Sequence, residues 1–325
     1  MELMKITGIP GIQIGNSQDL EAATGCTVIL CEQGAVAGVD VRGGAPGTRE
    51  TDLLKPENYV DKVHAVVLAG GSAFGLDAAA GVMQYLEENG VGFDVGVAKV
   101  PIVSGAVLFD LMCGDSRVRP DKAMGYQACI AARNGEFCEG SAGAGTGATV
   151  GKFFGIRHAM KGGLGAACHK AGNLMVGAVV AVNCLGDVID PGSGAVLAGA
   201  YREDPFSFMS TEEGMIRQYD KAADVFAGNT TIGAIITNAA LTKAQAGKVA
   251  SMAHNGYGRT MRPAHTMFDG DTIFALSAGT VTADINVVGL LAARVMEQAV
   301  INAVTKAASL AGFKSYGDIS AERQA

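Results

Sequence analysis

The sequence predicts an α/β protein built as a multilayer sandwich of sheets and helices. Short apolar stretches rich in β-branched residues alternate with longer stretches in which apolar residues recur at helical spacing. The helical stretches are rich in Ala, Gly and Val, which suits helices that are covered on more than one side. Glycine accounts for 46 of the 325 residues, roughly twice its average share. Because these glycines follow no fixed period, they indicate closely packed backbone layers and not a linker or a collagen-like repeat.

Six stretches are predicted as strands because they are apolar and β-branched. They are CTVILC (26–31), VAGVDVR (36–42), VHAVVLAG (63–70), MVGAVVAVN (175–183), TIGAIITN (231–238) and TIFALSA (272–278).

Four helices alternate with these strands, and their predicted limits come from capping residues. The first is SAFGLDAAAGVMQYLEENG, with Ser72 as N-cap and Gly90 as the stop. The second covers 120–135 and opens with Pro120, the third is LTKAQAGKVASMAHNG (241–256) with Thr242 as its cap, and the fourth runs from about Asp284 to Leu310.

Composition and charge restrict the class of function. With 49% hydrophobic and 18% charged residues, the chain can bury a large core as one unit or as two closely packed halves. A formal net charge of -7 without a Lys/Arg cluster argues against a nucleic-acid partner. The apolar run LMVGAVVAV (174–182) is too short to span a bilayer, and MELMKITGIPG lacks the features of a secretory signal. We therefore expect a cytoplasmic protein without a membrane partner.

The seven cysteines are odd in number and form no CxxC pair. This pattern is typical of reduced core cysteines in a cytosolic protein, and it does not favour a disulfide frame or a zinc site.

Two glycine-rich motifs resemble nucleotide or nucleophile motifs without matching them. GAGTGATVGK (143–152) has Thr146 where a phosphate loop needs Gly and Phe153 where it needs Ser or Thr, and no clear strand precedes it as a dinucleotide fingerprint requires. GGSAF (70–74) has Phe74 in place of the second Gly of a nucleophile elbow. We interpret Ser72 as structural, and the sequence implies no cofactor.

Polar residues precede two of the predicted strands. In AGNTTIGAIITN (227–238), Asn229, Thr230 and Thr231 stand at the start of an apolar strand. One explanation is local, because Gly-Asn makes a turn and Thr is a good strand former. The other is that one Thr becomes an N-terminal nucleophile when the chain is cut before it.

Two carboxylates precede the last predicted strand, in RPAHTMFDGDTIFALSAG (262–279). Asp269 and Asp271 are two apart, so on an extended chain both point the same way. Such a pair can orient or accept protons, bind a metal, or make a tight Asp-Gly turn, and taken alone the turn is favoured. A metal site needs more ligands, and only His265 is near.

Together, five motifs resemble the P1 family of self-processing peptidases (peptidase family S58), which includes D-aminopeptidase/esterases, β-aminopeptidases and nylon-oligomer hydrolases. The motifs are GNTTIGAIITN, HTMFDGDTIFA, TGATVGK, LAGGSAFGLDAAAGVM and RGGAPGTRETDLL. The resemblance extends from about Gly8 to Leu310. In this family a precursor cuts itself before a Ser or Thr that then serves as the nucleophile. The resemblance therefore implies that Thr230 is the nucleophile and that Asn229 ends the larger fragment.

The resemblance also implies the other site residues. The acids of the DGDT motif correspond to Asp269 and Asp271, the lysine of a Gly-Lys step to Lys152, and the asparagine that ends a Val-rich strand to Asn183. Taken singly, Lys152 also fits a surface lysine and Asn183 a strand-end turn.

Two departures from the family pattern concern specificity. Phe109 stands where nylon-hydrolase-like relatives have Tyr, and its ring cannot donate a hydrogen bond. The Ser-Gly-Glu of β-aminopeptidase-like members is replaced by Asp269-Gly270-Asp271.

The chemistry follows from the free amine that cleavage creates. The amine of an N-terminal Thr, with a free pKa of about 7.7–8.0, can serve as the base that activates its own hydroxyl. In the precursor that nitrogen is an amide, so the Asp pair or Lys152 must assist, and turn strain at Gly228-Asn229 would help. In the mature enzyme we expect Asn183 to donate to the oxyanion and the acids to orient the ammonium.

The predicted protein is therefore a self-processing amide hydrolase of aminopeptidase type, whose fragments 1–229 and 230–325 form one α/β sandwich. The resemblance implies four layers, in the order α/β/β/α, and a homotetramer. Two alternatives remain, a self-cleaving acyltransferase and an unprocessed binding or regulatory protein. We interpret His254 and His265 as structural, because an N-terminal amine makes a histidine base unnecessary.

Overall fold

The computed structural model describes residues 2–220 and 228–322 of the chain. Ala227, the first residue of the polar stretch AGNTT, lies outside these ranges. Ten strands form the main sheet. They are β1 (Glu2–Leu3), β2 (Gln13–Asp19), β3 (Thr24–Val41), β4 (Gly47–Arg49), β5 (Lys62–Ala69), β6 (Val103–Val107), β7 (Gly163–Ala171), β8 (Leu174–Val182), β9 (Ile232–Ala239) and β10 (Thr272–Val281).

The strand order in this sheet is β1-β7-β8-β9-β10-β3-β5-β6-β4, and β2 pairs with β3 outside this path. The pairs β9–β10 and β5–β6 are parallel, and the other pairs are antiparallel. The helices are α1 (Ala78–Glu88), α2 (Lys122–Asn134), α3 (Thr211–Arg217), α4 (Lys243–Thr260), α5 (Ile285–Thr305) and α6 (Tyr316–Glu322).

The main sheet has two halves that β3 joins. The first half contains β7, β8, β9 and β10, the second half contains β5 and β6, and strand β3 belongs to both. Residues 26–30 pair with β5, and after a register shift Ala35 and Val36 pair with β5 again, while residues 36–41 pair with β10. The two strands predicted at 26–31 and 36–42 are therefore one, and the prediction of two separate strands was wrong. Gly34 has a φ of 75°, a conformation that glycine adopts at little cost, so the strand bends here without ending.

Within the described residues, three buried apolar clusters separate four layers. The central cluster lies between the sheet halves and joins Ile232 and Phe274 of one half to Val66 and Leu68 of the other. A second cluster lies between the first half and helices α4 and α5. A third lies between the second half and helices α1 and α2. The layer order is helix, sheet, sheet, helix, which confirms the predicted α/β/β/α sandwich.

The helix limits agree with the predictions except at three places, and one of them is the end of α4, which continues past Gly256 to Thr260. Thr242 caps α4 through a complete capping box, and Gly90 follows the end of α1, both as predicted. Ser72, however, makes no capping bond, because residues 72–77 form a 3₁₀ turn ahead of α1. Helix α5 ends at Thr305 and not at Leu310.

Helix α5 is long and apolar enough to cross a membrane by length and composition. In the structure it packs against α4, β7 and β8, and it contributes Val288, Leu291 and Val295 to the apolar cluster under the sheet. These contacts are those of a core helix.

Candidate active site

Sheet topology brings the predicted site residues to one edge. Strand β8 ends just before Asn183, and because β9 is antiparallel to β8, the start of β9 lies beside that end. Strand β10 is parallel to β9, so it also starts at this edge. Thr230 precedes β9, while Asp269 and Asp271 precede β10. The polar residues that were predicted at the end of β8 and before β9 and β10 are thus neighbours in space.

Thr230 is buried and held at both its nitrogen and its hydroxyl. Its backbone N–H donates to the Asn183 carbonyl oxygen at 3.0 Å. Its Oγ1 hydroxyl donates to the carbonyl oxygen of Asn229, the carbonyl of the peptide bond that joins the two residues. The Gly270 N–H donates to the same oxygen at 3.0 Å. The hydroxyl therefore lies beside the bond predicted to be cut, and a backbone donor is already aimed at its oxygen.

Gly270 is required at its position by close packing. A methyl group there would lie 2.7 Å from Thr230 Oγ1 and 2.7 Å from the Ala45 carbonyl oxygen. Any side chain would thus displace the Thr230 hydroxyl or the loop that carries Ala45.

Asp271 is fully buried, accepts from two backbone N–H groups and contacts the His265 ring. Its Oδ1 accepts from the Thr231 N–H at 2.9 Å. Its Oδ2 accepts from the His265 N–H at 3.0 Å and lies 2.9 Å from His265 Nδ1. Asp271 therefore fixes the backbone at the first residue after Thr230.

Asp269 is also buried and supports the opposite side of the loop. Its Oδ1 accepts from the Leu185 N–H at 3.3 Å, and its Oδ2 accepts from the Thr266 N–H at 2.9 Å and from the Thr266 hydroxyl. Burial, and next the charge of Asp271, raises the pKa of Asp269 to about 6. The two acids thus hold different backbone segments, and the loop between them carries Gly270.

Lys152 and Asn183 form a connected pair behind the Thr230 nitrogen. Lys152 is half-buried as a residue, but its Nζ donates to four oxygens: Thr149 O at 3.0 Å, Asn183 O at 2.8 Å, Asn183 Oδ1 at 2.8 Å and Gly228 O at 3.1 Å. Burial lowers the pKa of this ammonium to about 7. The alternative of a solvated surface lysine is therefore wrong.

The Asn183 side chain is fully buried. Its Nδ2 donates to Phe109 O at 2.9 Å and to Gly228 O at 3.3 Å. In the uncut chain this amide is thus directed to the carbonyl one residue before Asn229, and Gly270 supplies the donor to Asn229 itself. The Phe109 ring packs on Gly228, where a methyl group would lie 3.0 Å from a ring carbon.

The predicted residues Thr230, Asp269, Asp271, Asn183 and Lys152 therefore lie in one connected site. Among residues 2–220 and 228–322, no group of three or more His, Cys, Asp and Glu side chains is placed to hold a metal ion.

Comparison with known proteins identifies the family. A family model described as peptidase family S58 matches residues 4–317. The chain belongs to peptidase family S58. An S58 peptidase hydrolyses amide bonds, so the predicted family and the predicted enzyme class, an amide hydrolase, are both confirmed.

Relatives and solved structures agree with this assignment. An uncharacterized aminopeptidase of Mycobacterium leprae is 42% identical to this S58 peptidase over 96% of this chain and 92% of its own length. The 6-aminohexanoate-oligomer endohydrolase of Kocuria sp. is 35% identical over 90% of this chain and 84% of its own. The L-aminopeptidase D-Ala-esterase/amidase of Ochrobactrum anthropi, described as a variant of the Ntn hydrolase fold, has a TM-score of 0.73 at 19% identity and covers 98% of this chain and 93% of its own. This last likeness confirms the fold.

The sequence did not predict a cluster of three rings that lies next to Asp271 in this S58 peptidase. The rings of His265 and His254 have centroids 4.8 Å apart, and Tyr257 lies 5.3 Å from His254. Burial lowers the pKa of His254 to about 4, which agrees with the neutral buried histidine that the sequence indicated. His265 contributes more than packing, because it bonds to Asp271. The sequence signal that could have indicated this contact is the His265-Thr266 pair, which precedes the Asp269-Gly270-Asp271 motif.

Proposed function

We propose that this S58 peptidase cuts itself between Asn229 and Thr230 and then uses the new N-terminal Thr230 as its nucleophile. One observation carries the proposal: the Thr230 hydroxyl and the Gly270 N–H both donate to the carbonyl oxygen of Asn229. The first group is the nucleophile for that carbonyl, and the second is a donor for the negative charge that develops on its oxygen.

In self-cleavage, Thr230 Oγ1 attacks the Asn229 carbonyl carbon and forms an ester as the C–N bond breaks. The hydroxyl proton ends on the leaving nitrogen of Thr230, which becomes an amine. Water then opens the ester and leaves a carboxylate on Asn229. The pKa of Lys152 is lowered to about 7, so part of the Lys152 side chain is an uncharged amine near neutral pH. The Lys152 amine can therefore assist the proton transfer. Lys152 and the Thr230 nitrogen share the Asn183 carbonyl oxygen as an acceptor.

In turnover, the Thr230 amine accepts the hydroxyl proton while Oγ1 attacks a substrate amide. The Asn183 carbonyl oxygen is in place to hold this amine, and Asp271 holds the next residue through the Thr231 N–H. Asp269 and Asp271 together supply the negative charge that favours an ammonium at this position. The substrates are N-terminal aminoacyl amides, peptides or oligoamides, a class supported by relatives named aminopeptidase and 6-aminohexanoate-oligomer endohydrolase.

The geometry supports Gly270 as the oxyanion donor of the self-cleavage step. The sequence assigned the oxyanion of turnover to the Asn183 amide, which remains a prediction for the mature enzyme. We also propose the cytoplasmic location and the homotetramer that the sequence and the family resemblance implied. The location is supported by free cysteines, which suit a reducing compartment. Sedimentation of the processed protein tests the tetramer.

The test is the mass and N-terminal sequence of the purified protein. We expect two polypeptides, residues 1–229 and 230–325, and the smaller should begin Thr-Thr-Ile-Gly. A smaller fragment that begins at Thr231 would contradict the nucleophile assignment, and an intact chain would favour the unprocessed binding protein. Turnover of aminoacyl anilides that requires an added amine acceptor would instead favour the acyltransferase.

A further inference from the structure

Asp110 is a buried carboxylate that has no part in the mechanism proposed above. Its Oδ1 accepts from the Gly71 N–H at 2.6 Å, and its Oδ2 accepts from the Thr24 hydroxyl at 2.7 Å. Burial raises the pKa of Asp110, and these two bonds and the nearby charge of Lys161 oppose that shift. Because a carboxylate removed from water is costly unless it is bonded, these partners determine where the Asp110 side chain lies.

Two glycine-rich motifs that match no nucleotide or nucleophile site provide the space for this carboxylate. A methyl group on Gly70 would lie 2.0 Å from Asp110 Oδ2, and one on Gly147 would lie 2.7 Å from Asp110 Cβ. Only glycine allows so close an approach. GGSAF (70–74) and GAGTGATVGK (143–152) thus pack against the same side chain. We call the residues around it the Asp110 socket: Thr24, Gly70, Gly71 and Gly147.

The chain next to this socket holds both ends of the Asn183 side-chain amide. Asn183 Nδ2 donates to the carbonyl oxygen of Phe109, the residue before Asp110, at 2.9 Å. Asn183 Oδ1 accepts from the N–H of Thr149, two residues after Gly147, at 2.9 Å. Contacts of Asp110 therefore connect the two segments between which the amide is held.

We propose that Asp110 is a positioning residue for the Asn183 amide, so that loosening the Asp110 socket slows turnover more than it slows self-cleavage. This inference rests on the proposed nucleophile Thr230 and on the proposed use of Asn183 as the oxyanion donor in turnover. In self-cleavage the Gly270 N–H already contacts the oxygen on which the charge develops, so that step depends less on Asn183. Loss of an oxyanion donor costs roughly a hundredfold to a thousandfold in kcat, and displacement of one should cost about tenfold or more.

The test removes one bond to Asp110 and leaves the carboxylate in place. Thr24→Val lacks the hydroxyl and keeps the β-branched shape, whereas Thr24→Ser keeps the hydroxyl and lacks a methyl group. The measurements are the rate of self-cleavage, kcat and KM for an alanine p-nitroanilide per cut molecule, and the thermal unfolding temperature. We expect Thr24→Val to lose about tenfold or more in kcat at unchanged KM and to cut itself within about threefold of the wild-type rate. Thr24→Ser should retain the wild-type kcat.

A second buried carboxylate supplies the matched control. Asp187 accepts from the Thr211 hydroxyl at 3.1 Å and from the Thr211 N–H at 2.8 Å. Thr211→Val removes the same kind of bond from the same kind of group, but the bonds of Asp187 hold the start of α3. Thr211→Val should therefore lower the unfolding temperature as Thr24→Val does, but keep the wild-type kcat.

The outcomes separate this inference from the proposed function. If Thr24→Val and Thr211→Val have equal kcat values, or if Thr24→Val slows self-cleavage as much as turnover, Asp110 is only a structural residue. A folded Thr24→Val chain that stays uncut also overturns the inference. If Thr24→Val does not fold, Asp110→Asn decides, because it keeps the volume, loses one acceptor and should show the same difference between the two rates. A wild-type enzyme that is cut after residue 229 but hydrolyses no aminoacyl anilide contradicts the proposed amide hydrolysis itself.

Discussion

The substitution Asp271→Asn tests whether Asp271 acts as a catalytic carboxylate or only as a turn residue. Asn supports the same turn geometry and has nearly the same volume, so the loop and its packing should remain. The side chain, however, has one oxygen where Asp271 has two. Asp271 Oδ1 accepts from the Thr231 N–H, and Oδ2 accepts from the His265 N–H. Whichever way the amide turns, its NH₂ group faces one of these backbone donors.

The magnitude follows from that mismatch. One charge-assisted hydrogen bond is lost, which is about 1.5–3 kcal/mol. Because the Thr231 N–H is the first backbone group after Thr230, its displacement moves the nucleophile in both self-cleavage and turnover. The loss corresponds to roughly a tenfold to hundredfold reduction in each rate. Uncut precursor should therefore accumulate in Asp271→Asn, and the cut fraction should turn over slowly.

The assay is the cut fraction over time on denaturing gels, with anilide turnover per cut molecule and circular dichroism to confirm folding. Asp284→Asn is the matched control, since Asp284 also accepts a backbone N–H, as the N-cap of α5, and Asn caps helices equally well. If Asp271→Asn cuts itself and hydrolyses anilides at wild-type rates, Asp271 is only a turn residue, and the catalytic role argued above is wrong.

Three further predictions concern the same site. Thr230→Ala should stay a single, folded chain because it lacks the attacking oxygen, and a cut at the same bond in this variant would indicate a contaminating protease. The raised pKa of Asp269 means that its proton is held up to about pH 6, so self-cleavage should slow as the pH falls below about 6. Asp269→Asn should be slow at every pH and lack this acid limb, and an unchanged limb would assign it to another group. His265 has a φ of 61°, and His265→Asn should cut itself within about tenfold of the wild-type rate, because Asn tolerates this φ and keeps a donor near Asp271. The matched variant His265→Gly tolerates the same φ but lacks the donor, so it should be slower, and equal rates would show that the bond is unimportant.

Most of the fold could be predicted because its signals are local. Runs such as TIGAIITN are apolar and β-branched, and they became β9 and its neighbours. The break between 31 and 36 was misjudged because Glu32, Gln33 and Gly34 look like a turn. The strand continues through these three residues because the segments on either side of them pair with β5 and β10, which lie far away in the sequence.

The site could be predicted in its side chains but not in its backbone groups. Thr230, Asp269 and Asp271 stand at strand starts, and the family resemblance connected them. The Gly270 N–H that contacts the scissile carbonyl and the Leu185 N–H that contacts Asp269 have no signature, since every non-proline residue carries the same donor. Their roles become visible only when the strands are placed side by side.

The position of the proposed cut within the sheet explains how the mature site can be in place before cleavage. Strand β9 lies between β8 and β10, so residues 230–325 supply central strands that would stay paired after the proposed cut. Thr230 keeps the Asn183 carbonyl oxygen as partner of its nitrogen, and Thr231 keeps Asp271. If the residues before the proposed cut move away, the Gly270 N–H would lose the Asn229 oxygen as its acceptor, whereas Lys152 would lose only the Gly228 oxygen and keep its other three acceptors. The proposed cleavage would therefore create the base and free the Gly270 N–H in one step, with no rearrangement of the strands that hold them.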